Sequence, residues 1–349
     1  MSVLEMIVTP GSVDFVMNIG IIFLKIAVVI AAALLHVAYA TYWERKVIGH
    51  MQVRLGPIEV GPHGLLQPIA DGVKLFFKED IIPANADKPL FYLAPVIFFI
   101  AALSSLSVVP FFNDFVIANI NIGLLFLFAM SSLGAYGIVL AGWSSNSKYA
   151  FLGGLRSASQ VISYEIAMGL SLVGVMIMAG SLNLSDIVRA QQQYWFAIPQ
   201  FLGFCIFVVA AFAETNRLPF DLPEAESELV AGYFTEYSGF RFALFFLGEY
   251  TGMIMMSSIA TVCFLGGWTV PKFFMDLLPF LSGLPSFVWV AVFLVKVYAF
   301  MFLFYWVRAT LPRYRYDQLM SIGWKVLIPL ALLNIIITAS VKVVIRGLV

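Results

Sequence analysis

An all-α polytopic membrane protein is the fold class this sequence predicts, and three observations predict it. Of 349 residues, 61% are hydrophobic and only 11% charged, with a mean hydropathy of +0.95. A soluble domain is closer to half apolar and about a quarter charged. The apolar residues gather into eight runs long enough to cross a bilayer, which takes roughly 20 residues each. Basic residues are shared unequally between alternate connections, the pattern that sets orientation in a membrane.

The runs fall at about 16–42, 89–111, 117–143, 158–180, 194–213, 241–268, 285–308 and 324–345. Turns between them are mostly short, so residues 1–349 are expected to form a single membrane domain. Two connections are longer, 44–88 and 214–240. The connections after the first, third, fifth and seventh runs hold Arg45, Lys46, Arg54, Lys74, Lys78, Lys88, Lys148, Arg156, Arg217, Arg241, Arg308, Arg313, Arg315 and Lys325. The other side has Arg189, Lys272, Lys342 and Arg346, so the balance is fourteen to four. Both long connections are therefore expected on the cytoplasmic or matrix side, and both termini on the periplasmic or intermembrane side. Lys25 and Lys296 fall inside runs.

Several function classes are excluded. Cys205 and Cys263 are too far apart to suggest a chelating pair, and His36, His50 and His63 are too few to ligate two haems. No dinucleotide-binding or phosphate-loop motif occurs. The chain is expected to hold no metal and no redox cofactor, and nothing points to nucleic acid. Residues 1–15 lack Lys and Arg, unlike the basic start of a cleaved signal peptide. No paired broken helices suggest an inverted-repeat transporter.

The first long connection, WERKVIGHMQVRLGPIEVGPHGLLQPIADGVKLFFKED, contains Gly56-Pro57 and Gly61-Pro62, which preclude one continuous helix. Beyond Pro62, Leu65, Leu66, Ile69, Val73, Phe76 and Phe77 recur at helical spacing, with Asp71, Lys74, Lys78 and Glu79 largely on the other side. That pattern predicts an amphipathic helix in the membrane interface. It serves either as a packing surface or as the border of an opening through which an apolar molecule enters from the lipid. Snorkelling accounts for Lys46, whereas Glu44, beside Arg45 at the same depth, needs a fixed partner.

The second long connection, AETNRLPFDLPEAESELVAGYFTEY, concentrates Glu214, Asp221, Glu224, Glu226, Glu228 and Glu236, with Glu249 just beyond. Acids at membrane depth are expensive, which makes them functional candidates. Asp221-Leu-Pro-Glu224 reads as a helix start with a capping box, and capping with solvation accounts for part of the cluster. Glu224 and Glu228 would share a helix face and titrate as a coupled set. Glu165 and Glu249 lie about seven and eight residues into their runs, roughly 10–13 Å deep. With Lys296, Tyr298 and Tyr305 they suggest a hydrated proton path, although a lysine there can also simply neutralise a buried acid.

These residues resemble a known family. WERKVIGHMQVRLGP with GPHGLLQPIADGVKLFFKE, and the stretch from Ala213 to Tyr237, resemble the two signatures of one membrane subunit of respiratory complex I. It is the H subunit of the bacterial enzyme and subunit 1 of mitochondrial NADH dehydrogenase. SNSKYAFLGGLRSASQVISYE, FALFFLGEYT and RATLPRYRYDQLM are similar as well. The resemblance spans nearly all of the chain beyond the first dozen residues.

It implies a subunit of the proton-pumping NADH:quinone oxidoreductase in a bacterial or mitochondrial inner membrane. Quinone would be the substrate, with FMN and iron–sulfur clusters held by partner subunits. Partners would be the hydrophilic quinone-site subunits and adjacent small membrane subunits. It implies that Glu44, Arg45, Lys46, Arg54, Leu65, Leu66, Phe76, Phe77 and Glu236 belong to the quinone chamber and its entrance. Glu165, Glu214, Asp221, Glu224, Glu226, Glu228, Glu249 and Lys296 would form the coupling path. Some relatives carry another acid on the third run, which here reads AMSSLGAYG without one. The rival readings are the homologous subunit of a membrane-bound hydrogenase-type complex and a stand-alone proton-coupled transporter.

Overall fold

Apolar segments this long must satisfy their own backbone in lipid, and helices are how a chain does so. A computed structural model describes residues 13–112, 115–222, 229–272, 285 and 287–347. Its helices are α1 (Val13–Met51), α2 (Gln67–Phe77), α3 (Lys88–Ser105), α4 (Gly123–Ser144), α5 (Lys148–Ala179) and α6 (Leu184–Ala190). They continue with α7 (Phe201–Glu214), α8 (Gly239–Phe264), α9 (Phe287–Thr310), α10 (Tyr316–Ile322) and α11 (Ile328–Gly347). A π turn, Gly323–Leu327, joins the last two into one rod. Seven of these segments are long and apolar enough to cross a membrane, and α7 is a shorter apolar eighth. The protein is an all-α polytopic membrane protein. Among the described residues, strand pairing is limited to one bridge between Phe112 and Phe115.

Helix ends follow local chemistry. Pro68 and Pro89 stand in the first turns of α2 and α3, where a missing amide costs no hydrogen bond. Asn183 caps α6 by accepting from the Ser185 amide at 2.9 Å. Gly180 closes α5 in the left-handed conformation. Packing relies on small residues: a Cβ on Gly142 would stand 2.7 Å from the Ala150 carbonyl, so α4 and α5 meet backbone to backbone. The most deeply buried helix is α8, packed against α3 on one side and α9 on another.

Three departures from the expected spans matter for the site. Helix α1 has 39 residues and runs on through Glu44, Arg45 and Lys46 to Met51. At 1.5 Å per residue it is about 58 Å long, nearly twice a bilayer core. Helix α5 begins at Lys148, ten residues early, so Glu165 stands near the middle of a 32-residue helix rather than seven residues from its start.

Helix α7 has only 14 residues, about 21 Å, and ends deep in the bundle. The chain beyond it is not an aqueous loop at first: Thr215, Asn216, Arg217, Phe220, Asp221 and Leu222 are all buried. Unwound backbone is tolerated at such depth only when protein supplies its hydrogen bonds. Gln160 of α5 supplies two of them, its side-chain amide donating to the carbonyls of Ala213 and Phe220, each at 2.7 Å, and the segment's own amides of Arg217, Phe220 and Leu222 supply others.

Candidate functional site

Three polar features converge around α8. The first is a set of buried acids. Ser131 and Ser132, adjacent on α4, donate to Glu214 and to Glu165 respectively, the latter at 2.6 Å. Two carboxyl groups from different helices are thus held by consecutive hydroxyls. Ser131 lies thirteen residues from the end of α4, about 20 Å along its axis. Glu214 also lines a cavity of about 60 Å³, with Glu249, Asn216, Met130 and Met256 among the other walls. That is room for more than one water molecule. Glu249 is buried on α8 and accepts from the Tyr233 hydroxyl at 3.3 Å.

The second feature surrounds Glu44, only 3% exposed. One carboxylate oxygen accepts from Arg308 and lies 3.5 Å from Arg217; the other accepts from the Tyr250 hydroxyl at 2.5 Å. The Arg217 guanidinium sits 4.3 Å over the Tyr250 ring, a cation–π arrangement. On the same two segments that carry Arg308 and Arg217, Arg313 donates to Asp221 at 3.2 Å. Elements far apart in sequence (α1, the unwound segment after α7, α8 and α9) therefore meet on one acid.

The third feature is a groove of about 680 Å³ between α1, α2 and the start of α8. That volume suits a small-molecule ligand. Phe234, Tyr237, Phe242 and Phe246 make its aromatic wall, while Thr41, Arg45, Asp71 and Lys74 supply polar groups. Arg45 and Asp71 pair at 2.7 Å across it. Burial pushes the Tyr237 phenol up to about 12, and its hydroxyl meets the Ser144 hydroxyl of α4 at 3.3 Å. Ser238 ties the groove's floor together by donating to the Glu79 carbonyl and accepting from the Ile81 amide. Helix α2 shares a stack with α8 through Phe76 and Phe240, centroids 4.8 Å apart, while its Ile69, Val73 and Phe77 remain exposed. An apolar face open to the surroundings is what an interfacial helix requires.

Between groove and acids lies one short turn, Gly232–Phe234. Tyr233 reaches Glu249, and Phe234, the next residue, lines the groove. The turn is pinned from behind by α5: a Cβ on Gly153 would stand 2.6 Å from the Gly232 Cα.

Comparison with known proteins decides the family. The NADH dehydrogenase family model matches residues 24–339. The chain belongs to that family. It is 55% identical over 327 residues to the NADH-quinone oxidoreductase H subunit of Paramagnetospirillum magneticum, covering 94% of each chain. Identity to the protein of that name from Rhodospirillum rubrum is 57% over 321 residues, covering 92% of this chain and 93% of the other. The Rickettsia typhi relative is 54% identical over 330 residues, 94% and 95% of the two chains.

In this member of the NADH dehydrogenase family, the residues expected at the site divide by position. Glu165, Glu214 and Glu249 come together, and Asp221 is paired with Arg313. Arg45 and Phe76 line the groove. Glu44 turns away from it into the bundle, and Lys46 faces a different hollow. Leu65 and Leu66, just before α2, and Phe77, its last residue, are exposed. Arg54 bonds its neighbour Gln52 on the exposed loop, and Glu236 is half-buried without lining the groove. Glu224, Glu226 and Glu228 lie outside the described residues.

Lys296 stands apart from the acids. Its ammonium donates to the carbonyls of Leu265, Gly267 and Thr269 at 2.7–2.8 Å, just past the far end of α8. Leu265 is sixteen residues from Glu249, about 24 Å along the helix. The chemistry there is that of a cation closing a helix C-terminus. Ser131, Ser132, Tyr233 and Tyr250 belong to the site without standing out in the sequence. Their only signal is a hydroxyl at a helical position facing an acid on another helix, and reading it requires knowing which helices are neighbours.

Proposed function

We propose that this chain is the membrane subunit of a proton-pumping NADH:quinone oxidoreductase, admitting quinone through the α1–α2–α8 groove and passing its reduction on to the buried acids. One observation carries the reading: Tyr233 and Phe234, consecutive on one turn, contact a coupling acid and the groove. The names of the relatives, each an NADH-quinone oxidoreductase H subunit, support it. So does the all-helical membrane fold, which we take as one domain with residues 44–88 and 214–240 on the cytoplasmic or matrix side.

The groove suits a flat ring with an apolar tail. Aromatic walls stack on the ring, and Arg45 and Lys74 offer hydrogen bonds to its carbonyl oxygens. Reduction of a quinone to a quinol takes two electrons and two protons, with electrons arriving from cofactors held by other subunits. Drawing protons and charge into the groove changes the field on the Gly232–Phe234 turn. Tyr233 then strengthens or releases its bond to Glu249. Glu249, Glu214 and Glu165, bridged by Ser131, Ser132 and water in the cavity, respond as a coupled set and relay protons. The hydroxyls on α4 serve where some relatives are expected to carry an acid. Glu44 with Arg308 and Arg217 fixes the helices around this path, and Lys296 anchors the opposite end of α8.

The test is photolabelling with an azido-quinone in the assembled complex. Label is expected on residues 37–45, 68–78 and 230–247, displaced by excess quinone. Ala243 is buried at the groove wall. Ala243→Trp should fill the space and raise the quinone KM about tenfold or more. Label elsewhere, or an unchanged KM in an assembled variant, would contradict the assignment.

A further inference from the structure

Helix α1 presents a third face that neither the groove nor the Glu44 cluster uses. Tyr42, Trp43, Lys46 and His50, with His63 from the following loop and Phe302 from α9, enclose an open hollow of about 500 Å³. We propose that this hollow binds the phosphate of an anionic phospholipid.

Depth comes first. The apolar run of α1 ends near residue 42, and Glu44, Arg45 and Lys46 follow it directly. Residues 42–50 therefore stand within about 12 Å of the end of that run, at headgroup level. Trp43 is half-exposed and Tyr42 lies edge-on to it, centroids 5.9 Å apart. Amphipathic aromatics are what the membrane–water boundary selects. Phe302 on α9, half-exposed, offers an apolar wall to the acyl chain.

Charge comes second. Lys46, His50 and His63 stand on the walls of the hollow, with no carboxylate among the described residues that line it. The one acid in this turn, Glu44, points the other way and is held by Arg308 and Arg217. Lys46 spends one donor on the Leu55 carbonyl at 3.2 Å, so two of its ammonium protons are left for a phosphate. The Lys46 carbonyl accepts from His50 Nδ1 at 2.7 Å, which fixes the ring beside the lysine. Tyr42 donates to the His63 carbonyl at 2.9 Å, holding the loop against the helix. A basic, aromatic-rimmed hollow at this depth matches a lipid carrying a net negative headgroup better than a zwitterionic one.

The test uses the protein purified from its membrane with its associated subunits, in nanodiscs containing either photoreactive phosphatidylglycerol or photoreactive phosphatidylcholine. Crosslinks mapped by peptide mass spectrometry are expected at residues 42–51 and 63, several-fold stronger for phosphatidylglycerol. Lys46→Gln should weaken them about fivefold, and Phe302→Trp should weaken them by occupying the hollow. Inorganic phosphate should not compete, because the acyl chains provide part of the affinity. Equal labelling by the two lipids in the unmodified protein would overturn the proposal without reference to any variant. Competition by inorganic phosphate would instead make the hollow a free-anion site and overturn the lipid assignment.

Discussion

Replacing Glu44 with glutamine is expected to cost about 3–5 kcal/mol of stability, the range for removing one partner of a buried ion pair. Glu44 is almost wholly buried and answers Arg308 and Arg217 together. The amide keeps the size of the side chain and an acceptor for Tyr250, but it cannot neutralise two guanidinium groups. Arg217, itself buried, cannot reach water to compensate. Thermal unfolding of the purified protein in detergent should show the loss as a lower midpoint, with less chain recovered in the assembled complex. Glu44→Gln combined with Arg308→Gln should cost less than the sum of the two single changes, because the second removes a charge the first left stranded. Additive losses would mean that the two groups do not stabilise one another.

The second large effect is expected at Glu214. Glu214→Gln retains an oxygen for the Ser131 hydroxyl but cannot accept or release a proton. Coupled turnover should therefore fall about a hundredfold or more, the scale on which positioned proton-transfer groups contribute. Azido-quinone should still label the groove, since Glu214 does not line it. Normal turnover with normal pumping in this variant would remove Glu214 from the path.

Membrane helices are legible in the sequence because a span is a local property: about twenty apolar residues declare themselves in any window. The amphipathic pattern from Leu65 to Phe77 is equally local, and a helix forms over most of it, Gln67–Phe77, with Leu65 and Leu66 lying just before its start. What is not legible depends on which helices are neighbours. Where α7 stops at Glu214, Gln160, more than fifty residues earlier, bonds the carbonyls of Ala213 and Phe220 on either side of the break. Hydropathy reads Ala213-Glu-Thr as the end of a span and cannot register that the chain stays buried as far as Leu222.

The same limit explains the chemistry. Scanning α4 for acids finds none, yet two of its serines, Ser131 and Ser132, are what hold Glu214 and Glu165. Lys296 shares with the acids only its place in an apolar run, and depth along one helix says nothing of position along another. The carbonyls that Lys296 meets belong to the turn after α8. Glu44 is the reverse case. Its need for a fixed partner is evident from burial physics, although the partners, Arg308 and Arg217, are placed only by the fold.

The most direct test of the account is the ratio of protons pumped to electrons transferred in Tyr233→Phe, measured in liposomes with the assembled complex. This change removes one hydroxyl, the one bonded to Glu249, and leaves Phe234 and the groove as they are. Quinone reduction should continue while the ratio falls, because the link between groove and acids is cut. A ratio equal to that of the unmodified complex would show that the Gly232–Phe234 turn does not couple the two.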